Sequence, residues 1–300
     1  MIDVRLLALG LFGFFWGGMT TPFSIALAQR YGILDMPDAR KIHNVQMPRG
    51  GGLGLWTGYM LLALYLVRRW PYMRFSATGA AIIFLCGYID DMKSLSPFPR
   101  LALHFIAASI AILPLGLPPL TSAVVLIWVA GVTSAYNLID GVNGLCISLF
   151  IASCCALCWL KGGLAPSVGV CMASMALGVL CWNFPGAQTF LGDGGSTLLG
   201  YIFALHFSAS ALPPVARLIR FHELILLLLL FGGIPVVDTL IAFARRIIMG
   251  KSPFYPDKGH LHHILMRLTN SPLWSVIVLW IVQAITLAGG LAVYARLAGR

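Results

Sequence analysis

The chain has 300 residues, 59% of them hydrophobic and 10% charged, with a mean hydropathy of +0.89 and a formal net charge of +10. Soluble domains are about half apolar and about a quarter charged, so this composition excludes an ordinary soluble domain and points to a polytopic membrane protein. The 20 Lys and Arg sit mostly between apolar stretches, where they set topology and meet lipid head groups; an anionic substrate is the sharper use for them.

Ten stretches read as spans: 4–28, 52–68, 75–90, 100–116, 120–137, 145–160, 165–182, 196–211, 222–244 and 274–295. The first is too long for a signal-peptide core and lacks a small-residue cleavage site, so it reads as a retained span. The third ends on Asp90-Asp91, in a chain with only ten acidic residues. The sixth carries Cys155 and Cys158 in C-x-x-C spacing, which inside an apolar helix reads as packing rather than redox or zinc chemistry. The ninth contains Gly232, Gly233 and Pro235, which predict a kink. With no repeat and no polar stretch beyond about 30 residues, the expected fold is an all-α integral membrane protein, one domain over 1–300 with about ten transmembrane helices.

Spans alternate sides, so the loops 29–51, 90–99, 137–144, 183–195 and 245–273 share one face. That face holds Asp90, Asp91, Asp140, Asp193 and Asp257, with Asp238 one or two turns away. It also holds Asn137, Asn143, Asn183, His43, His260, His262 and His263, while the other face carries little but short turns and arginines. The motif face has 11 Lys/Arg against nine, which makes it the cytoplasmic side.

Five motifs lie there. Asp90-Asp91 presents two carboxylates about 100° apart on a helix, suited to metal binding, to a general base or to a nucleophile; a helix end at the interface is the plainer account. "NLIDGVNGL", Asn137 to Leu145, sets amides and Asp140 among glycines that let backbone approach a ligand. "FLGDGGSTLLG", Phe190 to Gly200, puts Asp193 in a glycine-rich turn before a span that Ser196 is placed to cap, the kind of site that holds Mg²⁺ against phosphate. "PDKGHLHHIL", Pro256 to Leu265, offers His260, His262 and His263 either as zinc ligands or as donors to phosphate and sugar oxygens. "RKIHNVQMPRGGG", Arg40 to Gly52, is a basic loop.

In combination and in order, these motifs resemble the polyprenyl-phosphate N-acetylhexosamine-1-phosphate transferase superfamily over nearly the whole chain. The resemblance is to the branch whose members start enterobacterial common antigen, O-antigen and teichoic-acid linkage. The form "HLHH" after Pro-Asp-Lys is similar to the UDP-N-acetylhexosamine enzymes, whereas the MurNAc-pentapeptide branch usually has three consecutive histidines. The resemblance implies a multi-pass enzyme of the bacterial cytoplasmic membrane, with its active site facing the cytoplasm and serving lipopolysaccharide or cell-wall polysaccharide synthesis. It would transfer N-acetylhexosamine 1-phosphate, GlcNAc 1-phosphate by default, from a UDP-sugar to undecaprenyl phosphate and release UMP. UDP-FucNAc, UDP-QuiNAc and UDP-MurNAc-pentapeptide are the alternative donors.

By the same resemblance Asp90, Asp91 and His260 are catalytic, and Asp193 with Asn137 holds Mg²⁺, with Mn²⁺ able to substitute. Phe190 stacks on uracil, Asn183 belongs to the nucleotide pocket, and Asn143 reads the base where many bacterial relatives have Asp. Lys41, His43, Arg49, Lys93, Asp140, His262 and His263 complete the substrate set. Membrane lipids and a second copy of the chain are the expected partners, and nucleic acid is not. Either the lipid phosphate attacks directly, helped by an Asp base, or an Asp attacks first. A transporter is the rival class, but transporters place ionisable groups near the bilayer midplane and these aspartates sit at helix ends.

Overall fold

The computed structural model describes residues 3–36, 45–160, 163–252 and 259–299. Eleven helices run through them in chain order: α1 Val4–Tyr31, α2 Gly51–Leu66, α3 Met73–Lys93, α4 Pro97–Ile112, α5 Pro119–Ile139, α6 Leu145–Leu157, α7 Leu164–Asn183, α8 Gly192–Ala211, α9 Phe221–Ile248, α10 Leu261–Thr269 and α11 Pro272–Ala298. Among the described residues, seven helices are long and apolar enough to cross a membrane: α1, α3, α4 with its 3-10 extension to Leu115, α5, α7, α9 and α11. The protein is an all-α, multi-pass membrane protein. Each of the ten expected spans lies on a helix, and α10 is an additional, short amphipathic one.

The only strands among the described residues are two-residue β1 (Leu34–Asp35) and β2 (Met47–Pro48), paired antiparallel. Backbone bonds continue this hairpin into the 189–190 segment: Phe190 N–H donates to Pro48 O (2.9 Å) and Gly51 N–H to Phe190 O (3.0 Å).

The helix α8 is the centre. It packs against α2, α3, α4, α5, α6 and α7 and is buried along almost its whole length. Its Gly, Ser, Thr and His residues would be poor lipid-facing groups, but facing other helices they allow close approach and find partners. The expected Ser196 cap is corrected here. The helix begins four residues earlier, and Ser196 lies inside it with its hydroxyl donating to Asn137 Oδ1 (3.0 Å) and Gly192 O (3.1 Å). A glycine run reads as a turn only while its N–H groups lack an outside acceptor, and α3 supplies one.

The predicted kink in α9 is a break. Gly233 has φ 55°, ψ −146°, a conformation that a side chain would make costly, and Pro235 has no N–H to give. Ile234 N–H is met instead by Gln283 Oε1 of α11 (2.8 Å), and Gln283 Nε2 donates to Ser153 of α6 (3.1 Å). An unsatisfied amide in a bilayer costs several kcal/mol, more than burying a paired Gln, so a polar side chain stands in the middle of an apolar helix. The half of α9 beyond the break carries Asp238 and Arg246.

Candidate active site

The acidic pair divides at the end of α3. Asp91 turns toward α8, whose first N–H groups have no partner within their own helix. Its Oδ1 accepts from Asp193 N–H (2.9 Å) and its Oδ2 from Gly194 N–H (3.3 Å). Gly192 makes this fit: it sits at φ 72°, and a Cβ there would lie 2.5 Å from Asp91 Oδ2. Arg49 Nη1 bonds Asp91 Oδ1 at 2.9 Å, and the same guanidinium ion-pairs with Asp35 of β1. Asp91 is thus the N-terminal cap of α8, with its side chain 2% exposed. Arg49, expected on substrate, is held between two carboxylates.

Asp90 turns the other way. It ion-pairs with Arg100 of α4 and accepts the Leu95 N–H. Arg100 Nη1 also lies 3.2 Å from Asp193 Oδ2. Asp90, Arg100, Asp193 and Asn137 all line a cavity of about 800 Å³. Its other walls are apolar and come largely from α5 and α9, among them Ile127, Trp128, Leu228 and Leu240. Between Asn137 and Val124 it follows α5 for about 20 Å at 1.5 Å per residue.

On the far wall, α9 and α10 meet through Asp238. Its Oδ2 lies 2.7 Å from His260 Nδ1, and its Oδ1 accepts the Leu261 N–H (2.7 Å). The carboxylate both starts α10 and fixes the His260 ring, leaving Nε2 3.3 Å from Arg246 Nη2. Arg246 and His260 reach the same cavity. Two residues on, His262 is 1% exposed, and neither ring nitrogen has a partner among the described residues. It packs over Gly141 of the NLIDG loop and beside His263, ring centroids 4.2 Å apart. Burial and then the neighbouring His263 push His262 down to about 3, so it is neutral at physiological pH. In the facing loop Asp140 is pushed up to about 7, by burial first and then by the nearby Asp91 charge, with Arg49 opposing.

Asn183, expected in the nucleotide pocket, clamps two loops together. Its Oδ1 accepts Gly144 N–H (2.7 Å) and its Nδ2 donates to Thr189 O (2.8 Å), so backbone takes both amide groups. Asn143 reaches Pro185 O (3.3 Å) across the same two loops. Phe190 is half-buried in a bridge with Arg49, and Lys93 is exposed in the last turn of α3. Lys41 and His43 lie outside the described residues, as does Asp257.

For Mg²⁺ the donor set fits: Asp90, Asp193 and Asn137 offer hard oxygens, and the two carboxylates are close enough to share one guanidinium. Zinc on the histidines fits less well, because His260 is engaged by Asp238 and Arg246 and no three His, Cys, Asp or Glu side chains gather as a metal site among the described residues. Sequence reasoning missed Asp35, Arg100 and Arg246 and gave Asp238 no role. Asp238 had a usable signal: an ionisable residue deep in an apolar span needs a function or a partner.

The chain matches the family described as Glycosyl transferase family 4 over residues 73–210, from the start of α3 nearly to the end of α8. It is 33% identical over 286 residues to the probable undecaprenyl-phosphate N-acetylglucosaminyl 1-phosphate transferase of Bacillus subtilis (strain 168), covering 87% of this chain and 77% of that protein. The undecaprenyl-phosphate alpha-N-acetylglucosaminyl 1-phosphate transferase of Thermotoga maritima is 30% identical over 258 residues, covering 83% and 78%. The protein of that name from Escherichia coli (strain K12) is 25% identical over 277 residues, covering 82% and 72%. These alignments extend well beyond the 73–210 segment, and with it the acidic seam, to most of the chain. The chain therefore belongs to the polyprenyl-phosphate N-acetylhexosamine-1-phosphate transferase superfamily, within glycosyl transferase family 4.

Proposed function

We propose that the protein transfers N-acetylhexosamine 1-phosphate, GlcNAc 1-phosphate first among candidates, from its UDP-sugar to undecaprenyl phosphate, releasing UMP. The observation that carries this is the cavity: about 800 Å³, apolar along α5 and α9, with Asp90, Arg100, Asp193 and His260 gathered where the helices end. An isoprenoid chain suits the apolar part and a phosphate suits the charged end. The relatives' names give the same donor and acceptor classes.

In this reading the acceptor phosphate oxygen attacks the β-phosphorus of the UDP-sugar, and the bond from that phosphorus to the UMP oxygen breaks. Arg100 offers its guanidinium to the phosphates at the junction. Asp90, paired with Arg100, orients the acceptor phosphate for attack. Asp91 holds Asp193 in register by capping α8. Both carboxylates of the pair are already engaged, by Arg100 on one side and by Arg49 and the α8 N–H groups on the other, which supports direct attack over a phospho-enzyme. His260, oriented by Asp238, faces the donor side with Arg246. Asp140, whose carboxyl burial and the Asp91 charge push up to about 7, can donate to a carbonyl of the base. Asp193 and Asn137, with Asp90 beside them, would hold Mg²⁺, which would supply charge neutralisation on the pyrophosphate. UDP-sugar is cytosolic, so the motif face is assigned to the cytoplasm.

The test is radiolabel transfer from a panel of UDP-sugars to undecaprenyl phosphate by purified protein, with EDTA and Mg²⁺ arms. Transfer that EDTA abolishes and Mg²⁺ restores is expected. Failure with every donor would remove the activity, and full transfer in EDTA would remove the metal.

A further inference from the structure

His104 and Ser134 line the same cavity and have no part in the roles above. His104 lies one turn beyond Arg100 on α4, 5% exposed, with Nδ1 3.0 Å from Ser134 Oγ of α5. A serine hydroxyl has one proton, and Ser134 Oγ also lies 3.1 Å from the Ala130 carbonyl, in place for the back-bond familiar one turn earlier in a helix. With that back-bond made, Ser134 Oγ accepts from the ring and His104 carries its proton on Nδ1, the tautomer on which the assignment below is built. The Nε2 lone pair is what remains for the cavity.

Around it stand Arg100 of the same helix, Asp90 of α3, Asp193 of α8, Asn137 of α5, and Arg246 of α9 with His260. A bare acceptor beside two carboxylates repels a fully ionised phosphate. It suits a phosphate monoester that keeps one proton, and such groups have a second pKa near 6. We propose that His104 is a further substrate-binding residue, whose Nε2 accepts the P–OH hydrogen bond of the acceptor lipid's phosphate monoester while Arg100 takes the charged oxygens. The assignment rests on the cavity being the acceptor site.

The experiment uses the full chain in detergent and two short-chain probes: farnesyl phosphate, and its methyl ester, which has no P–OH. Binding is read as a thermal shift and as Trp128 fluorescence, since that indole lines the cavity. The wild type is expected to prefer the monoester by about tenfold, the upper worth of one hydrogen bond. His104→Phe should reduce the preference to within about twofold, and His104→Gln, whose carbonyl reaches toward the Nε2 position, should restore most of it. Ser134→Ala keeps the ring but frees its tautomer, and should lower the preference about threefold. In transfer assays the KM for the lipid phosphate should rise in His104→Phe while the KM for UDP-sugar stays within about twofold. If His104→Phe does not fold, the Ser134→Ala and His104→Gln results decide the matter. An undiminished monoester preference in the variants overturns the role of His104 alone, whereas a wild type that binds neither probe overturns the acceptor site together with it.

Discussion

Two walls of one cavity are built in different ways. The acidic wall rests on α8, the helix buried at the centre, and Asp91 there has contacts from Arg49 and from two N–H groups. The histidine wall hangs on the half of α9 beyond the Gly233 break, braced by one buried amide, Gln283, and joined to α10 through Asp238. The difference teaches where a membrane enzyme needs rigidity. Carboxylates that repel one another must be held by a fixed lattice of donors, while the histidines ride on a short amphipathic helix.

The largest expected effect tests the acidic wall as the chemical one. Asp193→Asn and Asp90→Asn should each lower transfer about 10³-fold while the protein still purifies folded, as read by size exclusion and melting temperature. Retention of a tenth of the activity would move the chemistry elsewhere. Asp91→Asn should differ in kind, because it takes away the charge that pairs with Arg49 and one of the two oxygens that accept the α8 N–H groups. Melting should show a loss of about 1–3 kcal/mol, discounted because Arg49 is partly exposed, and activity should fall with it. An Asp91→Asn protein as stable as wild type would remove the capping role.

On the histidine wall, Asp238→Asn should cost about a hundredfold in kcat without loss of α8 packing, since the ring of His260 loses its orienting carboxylate. If His260→Ala and Asp238→Asn were fully additive in the double variant, the two would not act as a unit. Gln283→Leu should have a smaller effect, about tenfold on activity together with lower melting. It leaves the Ile234 N–H without an acceptor and loosens the half-helix that carries Asp238 and Arg246.

The smallest effect compares the walls through pH. His262 is pushed down to about 3 against an ordinary value near 6.5, so its stabilising contribution is whole above about pH 6.5 and is lost as pH falls below that. Asp140 runs the opposite way. Its carboxyl is pushed up to about 7, so its contribution is whole below the ordinary carboxylate range and is lost as pH rises through 7. Melting temperatures from pH 4.5 to 8 should show His262→Phe less sensitive to acid than wild type, and Asp140→Asn relatively more stable at pH 8. Parallel pH curves for wild type and both variants would contradict the buried placement of these groups.

Much of this architecture was legible before the fold. The spans follow from hydropathy, because a bilayer rejects polar side chains whatever their neighbours. The candidate Asp90, Asp91, Asp193 and His260 stand out because acidic and imidazole groups are few in so apolar a chain. Their partners were not legible. Arg100 was not singled out, and the ion pairs of Arg49 and the backbone partners of Asn183 could not be foreseen, because a side chain's chemistry says what it can bond and not what stands opposite.

The sequence by itself determined that the chain enters a membrane through many apolar helices and which carboxylates, amides and histidines lie in the loops between them. Hydropathy and alternation are local properties read along one dimension. The tertiary structure alone decided that Asp90 faces the cavity while Asp91 caps α8, that α9 breaks onto Gln283, and that Ser134 stands against the ring of His104. Each of these depends on a hydrogen-bond partner from another element, in several cases scores of residues away along the chain. A buried polar group must take whichever partner the packing brings to it.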